Sequence, residues 1–202
     1  MTRQVHPTKT ILIDTTRELL DSLARTDIST DQILSKSGIS KGSLYHHFED
    51  LDQLIEAAML LRYSEWVDKS IGAITETLRS AKSPEDVHIR LSAITVQTQD
   101  PKRRVDRLYR AEVLGAAASS PRLAKSLGVE QQRLTDALTD LVREVQEKGF
   151  FHKELDPHVL AVFIQAYTLG KVVDDFSENP INPDSWNALI NDFLKKTLLK
   201  YD

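Results

Sequence analysis

The pattern of apolar and polar positions along this chain predicts an all-helical protein. Apolar residues recur at spacings of three and four, and no segment shows the sustained alternation that is typical of a strand. Five of the prolines that follow a Ser, Asp or Asn stand at the starts of predicted helices. Such pairs mark helix starts, because the polar side chain caps free amides and proline has no amide to leave unpaired. The pairs are Ser83-Pro84, Asp100-Pro101, Ser120-Pro121, Asp156-Pro157 and Asn182-Pro183.

These start signals divide the larger part of the chain into successive helices. They predict helices over 84–98, 101–118, 121–148, 157–177 and 183–199. Ahead of them we expect one helix over about residues 8–24 and a long one over about 51–80, which Gly72 weakens. Together with two short helices between residues 29 and 48, the pattern predicts about nine helices.

Residues 29–48 read STDQILSKSGISKGSLYHHF and predict two short helices joined by a tight turn. Ser29 and Gln32 have the spacing of a capping box, in which each side chain satisfies the other residue's amide. Gly38 follows the first helix and can adopt the left-handed backbone conformation with which helices commonly end. Ser40 then caps a second helix. This order is that of a helix-turn-helix.

The second of these helices has the residues of a probe for the DNA major groove. Leu44 and Phe48 lie four residues apart and predict the side that faces the core. Lys41, near the tip, can donate hydrogen bonds to guanine, and Ser43 can bond to either kind of base. Tyr45 and His46 lie further back, where phosphate contacts are expected. The alternative from spacing alone is a helical hairpin whose polar residues face solvent.

The run GISKGSLYHHFEDLDQLIEAA resembles the N-terminal DNA-binding domain of the tetracycline-repressor (TetR) family of bacterial transcriptional regulators. The resemblance covers roughly residues 8–60. It implies an all-helical homodimer, with three N-terminal helices on DNA and a larger, divergent domain that dimerises and holds a small ligand. By motif position it implies DNA-contact roles for Ser29, Thr30, Ser40, Lys41, Gly42, Ser43, Tyr45 and His46.

Two places depart from the family's usual pattern. Family members usually have a Lys shortly after the motif's Phe, where the fourth helix starts and can touch phosphate. Here residues 49–52 are Glu-Asp-Leu-Asp, so one phosphate contact is replaced by acidic side chains. The loop over residues 24–28 also lacks the family's usual Gly. Because of this acidic stretch, an alternative function remains: a dimeric small-molecule-binding protein with weak or no specific DNA binding.

The expected domains are a helix-turn-helix DNA-binding domain over residues 1–50 and a helical effector-binding and dimerisation domain over residues 51–202. The formal net charge is −4. Residues 1–48 hold six Lys and Arg against five acidic residues, whereas the remainder holds 20 against 25. The N-terminal part is therefore less acidic but no basic patch, so sequence-independent affinity for DNA should be modest.

Two helices near the C-terminus indicate how subunits could meet. The segment 159–176 is apolar nearly all round, and 183–199 carries a helical apolar stripe. Two such helices from each subunit can form a four-helix interface. The alternative is a monomer in which the first of them lies in its own core. The residues expected at the interface are Leu160, Ile164, Tyr167, Trp186, Ile190 and Phe193.

The resemblance implies an effector pocket among the helices of the larger domain. Amphipathic aromatic residues and polar breaks in apolar helices are the candidates, since small-molecule pockets are mainly apolar with a few polar groups. The alternative for each is a core or surface position. A basic cluster, Lys102, Arg103, Arg104, Arg107 and Arg110, is interpreted as a solvated helix face, with an anionic effector as a second option. The candidate pocket residues are Tyr63, Trp66, His88, Gln97, Tyr109, Gln165 and Thr168.

The sequence predicts neither catalysis nor a cofactor. It has no cysteine and none of the HExxH, phosphate-loop or GxSxG motifs. His46 and His47 are adjacent, so they cannot share a metal on one helix face. No apolar run approaches a membrane span, and a cytoplasmic protein is expected. The function predicted is a ligand-responsive regulator that represses from a palindromic operator on double-stranded DNA. A transcriptional activator stays open.

Overall fold

The structure is a computed structural model that describes residues 6–200. Within that range the chain forms nine α-helices, and its only β pairing is a single antiparallel bridge between Phe151 and Leu199. The predicted all-helical fold is therefore confirmed. The helices are α1 (Pro7–Leu20), α2 (Thr30–Ser37), α3 (Lys41–His47), α4 (Leu51–Arg79), α5 (Pro84–Gln99), α6 (Arg104–Ser119), α7 (Pro121–Glu147), α8 (Pro157–Gly170) and α9 (Pro183–Phe193).

The capped prolines begin helices as the sequence predicts. The side chains of Ser83, Ser120, Asp156 and Asn182 each accept a hydrogen bond from a free amide in the first turn of the helix that follows. Asp100 differs, because it caps a 3₁₀ turn over Pro101–Arg103, and α6 begins only at Arg104.

Helix ends differ more from the prediction than helix starts. Helix α1 ends at Leu20 rather than near residue 24. The α-helical part of α8 ends at Gly170 and continues as a 3₁₀ helix over Lys171–Phe176. Helix α9 passes at Leu194 into a π-helical turn. The chain then forms an antiparallel bridge to the α7–α8 loop, where Lys200 donates to the Phe150 carbonyl at 3.0 Å. These ends depend on tertiary partners that a local pattern does not contain.

The chain forms two compact units, one ending at Glu65 and the other beginning at Trp66, so α4 contributes residues to both. The first unit contains α1 to α3 and the start of α4. Its core includes Leu12, Ile33, Leu44 and Leu54, all fully buried. The expected functional boundary at residue 50 stays a prediction.

The second unit is a bundle in which α7 packs on α8 and α6, and α5 packs on α9. Its apolar core includes Val87, Val142, Val145, Phe151 and Leu198, each no more than 3% exposed. In the part of the chain that the structure describes, no helix has the length and apolar character that crossing a membrane requires.

Gly38 ends α2 with a φ of 69°, in the left-handed region, and its amide donates to the Leu34 carbonyl. We expect Gly38→Ala to lower the free energy of unfolding by about 1–2 kcal/mol, because a Cβ disfavours this conformation. Urea denaturation followed by circular dichroism measures the change. Gly128→Ala, within α7 and with nothing within 4 Å of the added Cβ, is the control and should be neutral or slightly stabilising. Equal effects of the two substitutions would contradict the conclusion that the left-handed conformation of Gly38 requires glycine.

Candidate nucleic-acid interface and effector site

Helix α3 is anchored on one side and exposed on the other. Leu44 is fully buried and Phe48, just past the helix end, is 3% exposed, whereas Lys41, Gly42 and Tyr45 are exposed. The Ser40 hydroxyl accepts a hydrogen bond from the Ser43 amide at 3.3 Å and caps the helix. The two buried side chains therefore direct the polar tip of the helix to the surface.

Helix α2 has the reciprocal cap that its sequence predicts. The Gln32 amide donates to the Ser29 hydroxyl at 3.3 Å, and the Ser29 amide donates to the Gln32 side-chain oxygen at 2.7 Å. Gly38 and Ser40 then complete the turn into α3, so the helix-turn-helix geometry is present. The eight residues expected to contact DNA lie at the starts of these two helices and along α3. Thr30 and Ser43 are half-buried, and the exposed ones are Ser29, Ser40, Lys41, Gly42, Tyr45 and His46.

Ion pairs occupy several charged groups of the first unit. Arg17 pairs with Glu65 at 2.7 Å, Lys36 with Glu18 at 3.1 Å, and Arg62 with Asp21. Lys41, in contrast, belongs to no ion pair within residues 6–200. Its ammonium group is therefore available to an external anion or base edge.

The acidic start of α4 has a structural role that the sequence analysis missed. The Gln53 amide donates to an Asp50 carboxylate oxygen at 2.6 Å, and the Glu49 amide donates to the Gln53 side chain at 2.7 Å. Asp50 therefore caps α4. The signal was present, since Asp50 and Gln53 have the spacing of a capping box.

Three histidine rings lie close together at the junction of α1 and α3. The ring centroid of His47 is 4.8 Å from that of His6 and 5.1 Å from that of His46. Partial burial lowers the pKa of His47, and the nearby His6, His46 and Lys9 lower it further by electrostatic repulsion. Among the described residues, no group of three or more His, Asp or Glu side chains has the arrangement of a metal site.

The residues expected to line an effector pocket have several different environments. Tyr63, in the first unit, is 1% exposed. Gln97 is exposed, whereas His88 and Tyr109 are half-buried. Gln165 donates to the Thr135 hydroxyl and to the Ala161 carbonyl, both at 3.1 Å, and accepts from Gln131. Its amide is therefore satisfied within the protein. The Thr168 hydroxyl donates to the Gln165 carbonyl at 3.0 Å.

The interpretation of the basic cluster as a solvated face is wrong for Arg107 and Arg110, which are 2% and 8% exposed. Arg107 donates two hydrogen bonds to Asp175, both at 2.7 Å. The Arg110 guanidinium lies 4.1 Å from the centroid of the Trp66 ring. The sequence does contain the signal, since spacings of three place both arginines on one face with Val113 and Ala116. The arginine at position 103 is exposed as expected.

Two buried polar residues were not singled out from the sequence. Asp175 forms the pair with Arg107, whose guanidinium holds the pKa of the carboxyl below its usual range. Gln99, the last residue of α5, is 2% exposed, and neither side-chain polar atom has a partner within the described residues. No local pattern distinguishes Gln99 from a solvated residue at a helix end.

Two of the six residues expected at a subunit interface lie in the core of the second unit. Leu160 and Ile190 are 7% and 6% exposed and leave little surface for a partner. Both pack in the apolar cluster formed with α5 and α7, because α8 and α9 turn these stripes inward. Ile164 is half-buried. Three others pack partly against that cluster: Tyr167, Trp186 and Phe193.

The geometry of α2 and α3 defines the class: a protein with a capped helix-turn-helix and an exposed polar recognition helix, joined to a larger helical bundle. Residues 12–58 match the family model described as bacterial regulatory proteins of the tetR family. Residues 90–199 match the model described as the C-terminal part of BetI-type transcriptional repressors. The chain belongs to the TetR family of transcriptional regulators. The predicted resemblance is therefore confirmed.

Relatives and solved structures agree with this assignment. The transcriptional regulator UidR of Escherichia coli K12 is 20% identical over 179 residues, covering 89% of this chain and 87% of UidR. Salmonella enterica GusR has a TM-score of 0.67 at 21% identity, with 98% of each chain covered. A regulator from Saccharomonospora viridis, solved with choline, has a TM-score of 0.69 at 16% identity, covering 96% of this chain and 98% of that one. At these identities the structures show a shared fold.

The buried pair predicts a large difference between Arg107 in α6 and Arg103 in the 3₁₀ turn before it. We expect Arg107→Ala to lower the free energy of unfolding by about 3–5 kcal/mol, because it leaves the Asp175 carboxylate buried without its partner. Arg103→Ala is the control. Arg103 and its partner Asp106 are exposed by 52% and 44%, so this loss should stay below about 1 kcal/mol. Chemical denaturation at pH 7 measures both, and equal losses would refute a special role for Arg107.

Proposed function

We propose that this regulator is a homodimeric repressor that binds a palindromic operator and is released by a small-molecule effector. The observation that carries the DNA-binding part is the anchoring of α3 by Leu44 and Phe48 beneath an exposed tip. The description of the C-terminal family model as that of a repressor supports repression rather than activation. The proposed location is the cytoplasm, where the DNA of a bacterium lies.

The residues of the tip suit separate tasks on DNA. Lys41 can reach a guanine edge in the major groove, and Ser43 can bond to either base type. Gly42, which has no side chain, permits close approach of the backbone. The remaining residues of the proposed contact set lie where phosphate contacts hold the helix in register. They are Ser29, Thr30, Ser40, Tyr45 and His46.

Two copies of α3 would read two half-sites of the operator. In a symmetric dimer the half-sites are about 34–36 Å apart, one turn of DNA. An effector releases the dimer only if it binds more tightly to a shape in which the two heads no longer match that spacing. The second unit would hold the effector, as proposed for the family's larger domain.

An apolar surface on α8, on the 3₁₀ segment after it and on α9 suits the dimer interface. Val159, Val162 and Leu189 are 63%, 46% and 61% exposed, and Val173 and Phe176 of the segment are more so. Large exposed apolar patches mark interaction sites. We therefore propose that these five residues, rather than Leu160 and Ile190, meet the partner subunit, with Ile164, Tyr167, Trp186 and Phe193 behind them.

Lys41 provides a test of base reading. We expect Lys41→Ala to reduce discrimination at one operator position by about 1–3 kcal/mol, because the lost ammonium group donates to a base edge. Selection of bound fragments from genomic DNA, followed by sequencing, gives the preferred operator of each variant. Lys153→Ala is the control, since Lys153 is an exposed lysine in the loop before α8. An unaltered preference in Lys41→Ala would refute this role, and selection of no preferred sequence would refute the repressor.

The apolar surface on α8 and α9 gives a second test. We expect Leu189→Glu to shift the protein from dimer to monomer, because a charge at the centre of an apolar interface is desolvated without a partner. Sedimentation velocity measures the change. Ile89→Glu on α5 is matched to it, since both residues are 61% exposed, and it should leave the dimer intact. A Leu189→Glu protein that sediments as the unmodified protein does would contradict the proposed interface.

A further inference from the structure

The inward face of α5 carries polar side chains among apolar ones. Leu91, Thr95 and Gln99 follow one another at spacings of four and are 7%, 1% and 2% exposed. Residues four apart on a helix are neighbours on one face. Thr95 and Gln99 therefore lie one turn apart on the same inward face of α5, inside the second unit.

The Gln99 side chain has hydrogen-bonding capacity that the protein leaves unused. Within residues 6–200 neither its nitrogen nor its oxygen has a partner. The backbone around it is held, because Arg107 donates to the carbonyls of Thr98 and Asp100, each at 3.2 Å. Buried polar groups in native proteins are almost always hydrogen-bonded, so this amide requires a partner from outside the chain. A carboxamide offers two donors and an acceptor.

Tyr167 of α8 adds a second neutral group beside Thr95. Its hydroxyl lies 3.4 Å from the Thr95 hydroxyl, longer than the usual O–H···O distance of about 2.7–2.8 Å. Burial raises the pKa of Tyr167, so the phenol is uncharged at neutral pH. Both hydroxyls are therefore weakly paired and can exchange their mutual contact for bonds to a ligand.

The nearby charges are already matched within the protein. The Asp175 carboxylate accepts two hydrogen bonds from Arg107. The Asp174 carboxylate accepts from the Lys171 ammonium at 2.5 Å and from the Ile181 amide at 3.0 Å. These carboxylates and cations neutralise each other, so a charged ligand would find no opposite charge among them.

The Trp66 ring likewise has a cationic partner within the protein. The Arg110 guanidinium lies 4.1 Å from its centroid, in the position that a cationic ligand takes over an aromatic face. A quaternary ammonium group would have to displace a covalently attached cation from this ring. The face of the Trp66 ring that Arg110 covers is therefore closed to a cationic ligand.

We propose that Thr95, Gln99 and Tyr167 form the polar end of the effector site, and that they bind an uncharged group able to donate and accept hydrogen bonds, such as a carboxamide or a hydroxyl. This inference rests on the proposed function of a ligand-responsive regulator and specifies its ligand class. The choline bound to the Saccharomonospora viridis regulator belongs to a different class.

Three probes with the same pentyl chain separate the ligand classes: hexanamide, hexanoate and pentyltrimethylammonium. Their shared alkyl chain suits the apolar side chain of Leu91, one turn from Thr95 on the same helix, and only the head group differs. Titration calorimetry with the full-length protein, without DNA, gives the affinities. We expect hexanamide to bind at least tenfold more tightly than either charged probe. Tighter binding of a charged probe, or no hexanamide binding, would overturn the proposal.

Substitutions then locate the binding group. Gln99→Leu should weaken hexanamide binding by at least about tenfold, because the two or more hydrogen bonds of the amide are lost. It should also raise the melting temperature, since a buried polar group without a partner is removed. Gln132→Leu, at an exposed position on α7, is the matched control and should neither weaken hexanamide binding nor raise the melting temperature.

A second variant keeps the proposal testable if Gln99→Leu does not fold. Thr95→Val has nearly the same volume and should weaken hexanamide binding several-fold through the lost hydroxyl. Unchanged hexanamide affinity in the folded variants would overturn the site. Because these titrations contain no DNA, their outcome is separate from the DNA selection that tests the repressor. Gln99→Leu should retain operator binding while losing the response to hexanamide.

Discussion

Helix α3 has only seven residues, and a helix of that length is not stable by itself in water. It persists because Leu44 and Phe48 are buried in the core of the first unit, as Leu12 and Ile33 are. The same burial determines which residues remain outside. With one side of α3 held in the core, Lys41 and its polar neighbours have no position except the surface. The DNA-facing tip is therefore a consequence of packing beneath it.

The second unit places polar chemistry in its interior. The pair of Arg107 and Asp175 links α6 to the 3₁₀ segment that follows α8, and Arg107 also holds the end of α5 through two backbone carbonyls. One buried guanidinium therefore joins three elements. Such an arrangement is costly to desolvate and is retained only where all its donors find acceptors. It holds Gln99 in place while leaving the Gln99 amide without a protein partner.

This interior connects the proposed effector site to the proposed subunit interface. The 3₁₀ segment that carries Asp175 also carries Val173 and Phe176, which are exposed by 78% and 72%. A ligand on the face of α5 that contains Thr95 and Gln99 would therefore touch an element joined through Arg107 to the apolar surface of that segment. The Arg107 side chain contacts both the end of α5 and the 3₁₀ segment after α8. One residue therefore connects the proposed effector site to the proposed subunit interface.

The sequence by itself determined the features that depend on neighbours along the chain. The capping residues and prolines located the helix starts, and the Ser29–Gln32 cap, Gly38 and Ser40 located the helix-turn-helix, because these signals act within four residues. Only the tertiary structure decided which side of α8 and α9 faces inward, where α8 and α9 stop, and which carboxylate pairs with Arg107. Those outcomes depend on partners far along the chain. Asp175 lies 68 residues from Arg107 in the sequence. The residues near Arg107 in the sequence therefore cannot indicate that the Asp175 carboxylate neutralises its buried charge.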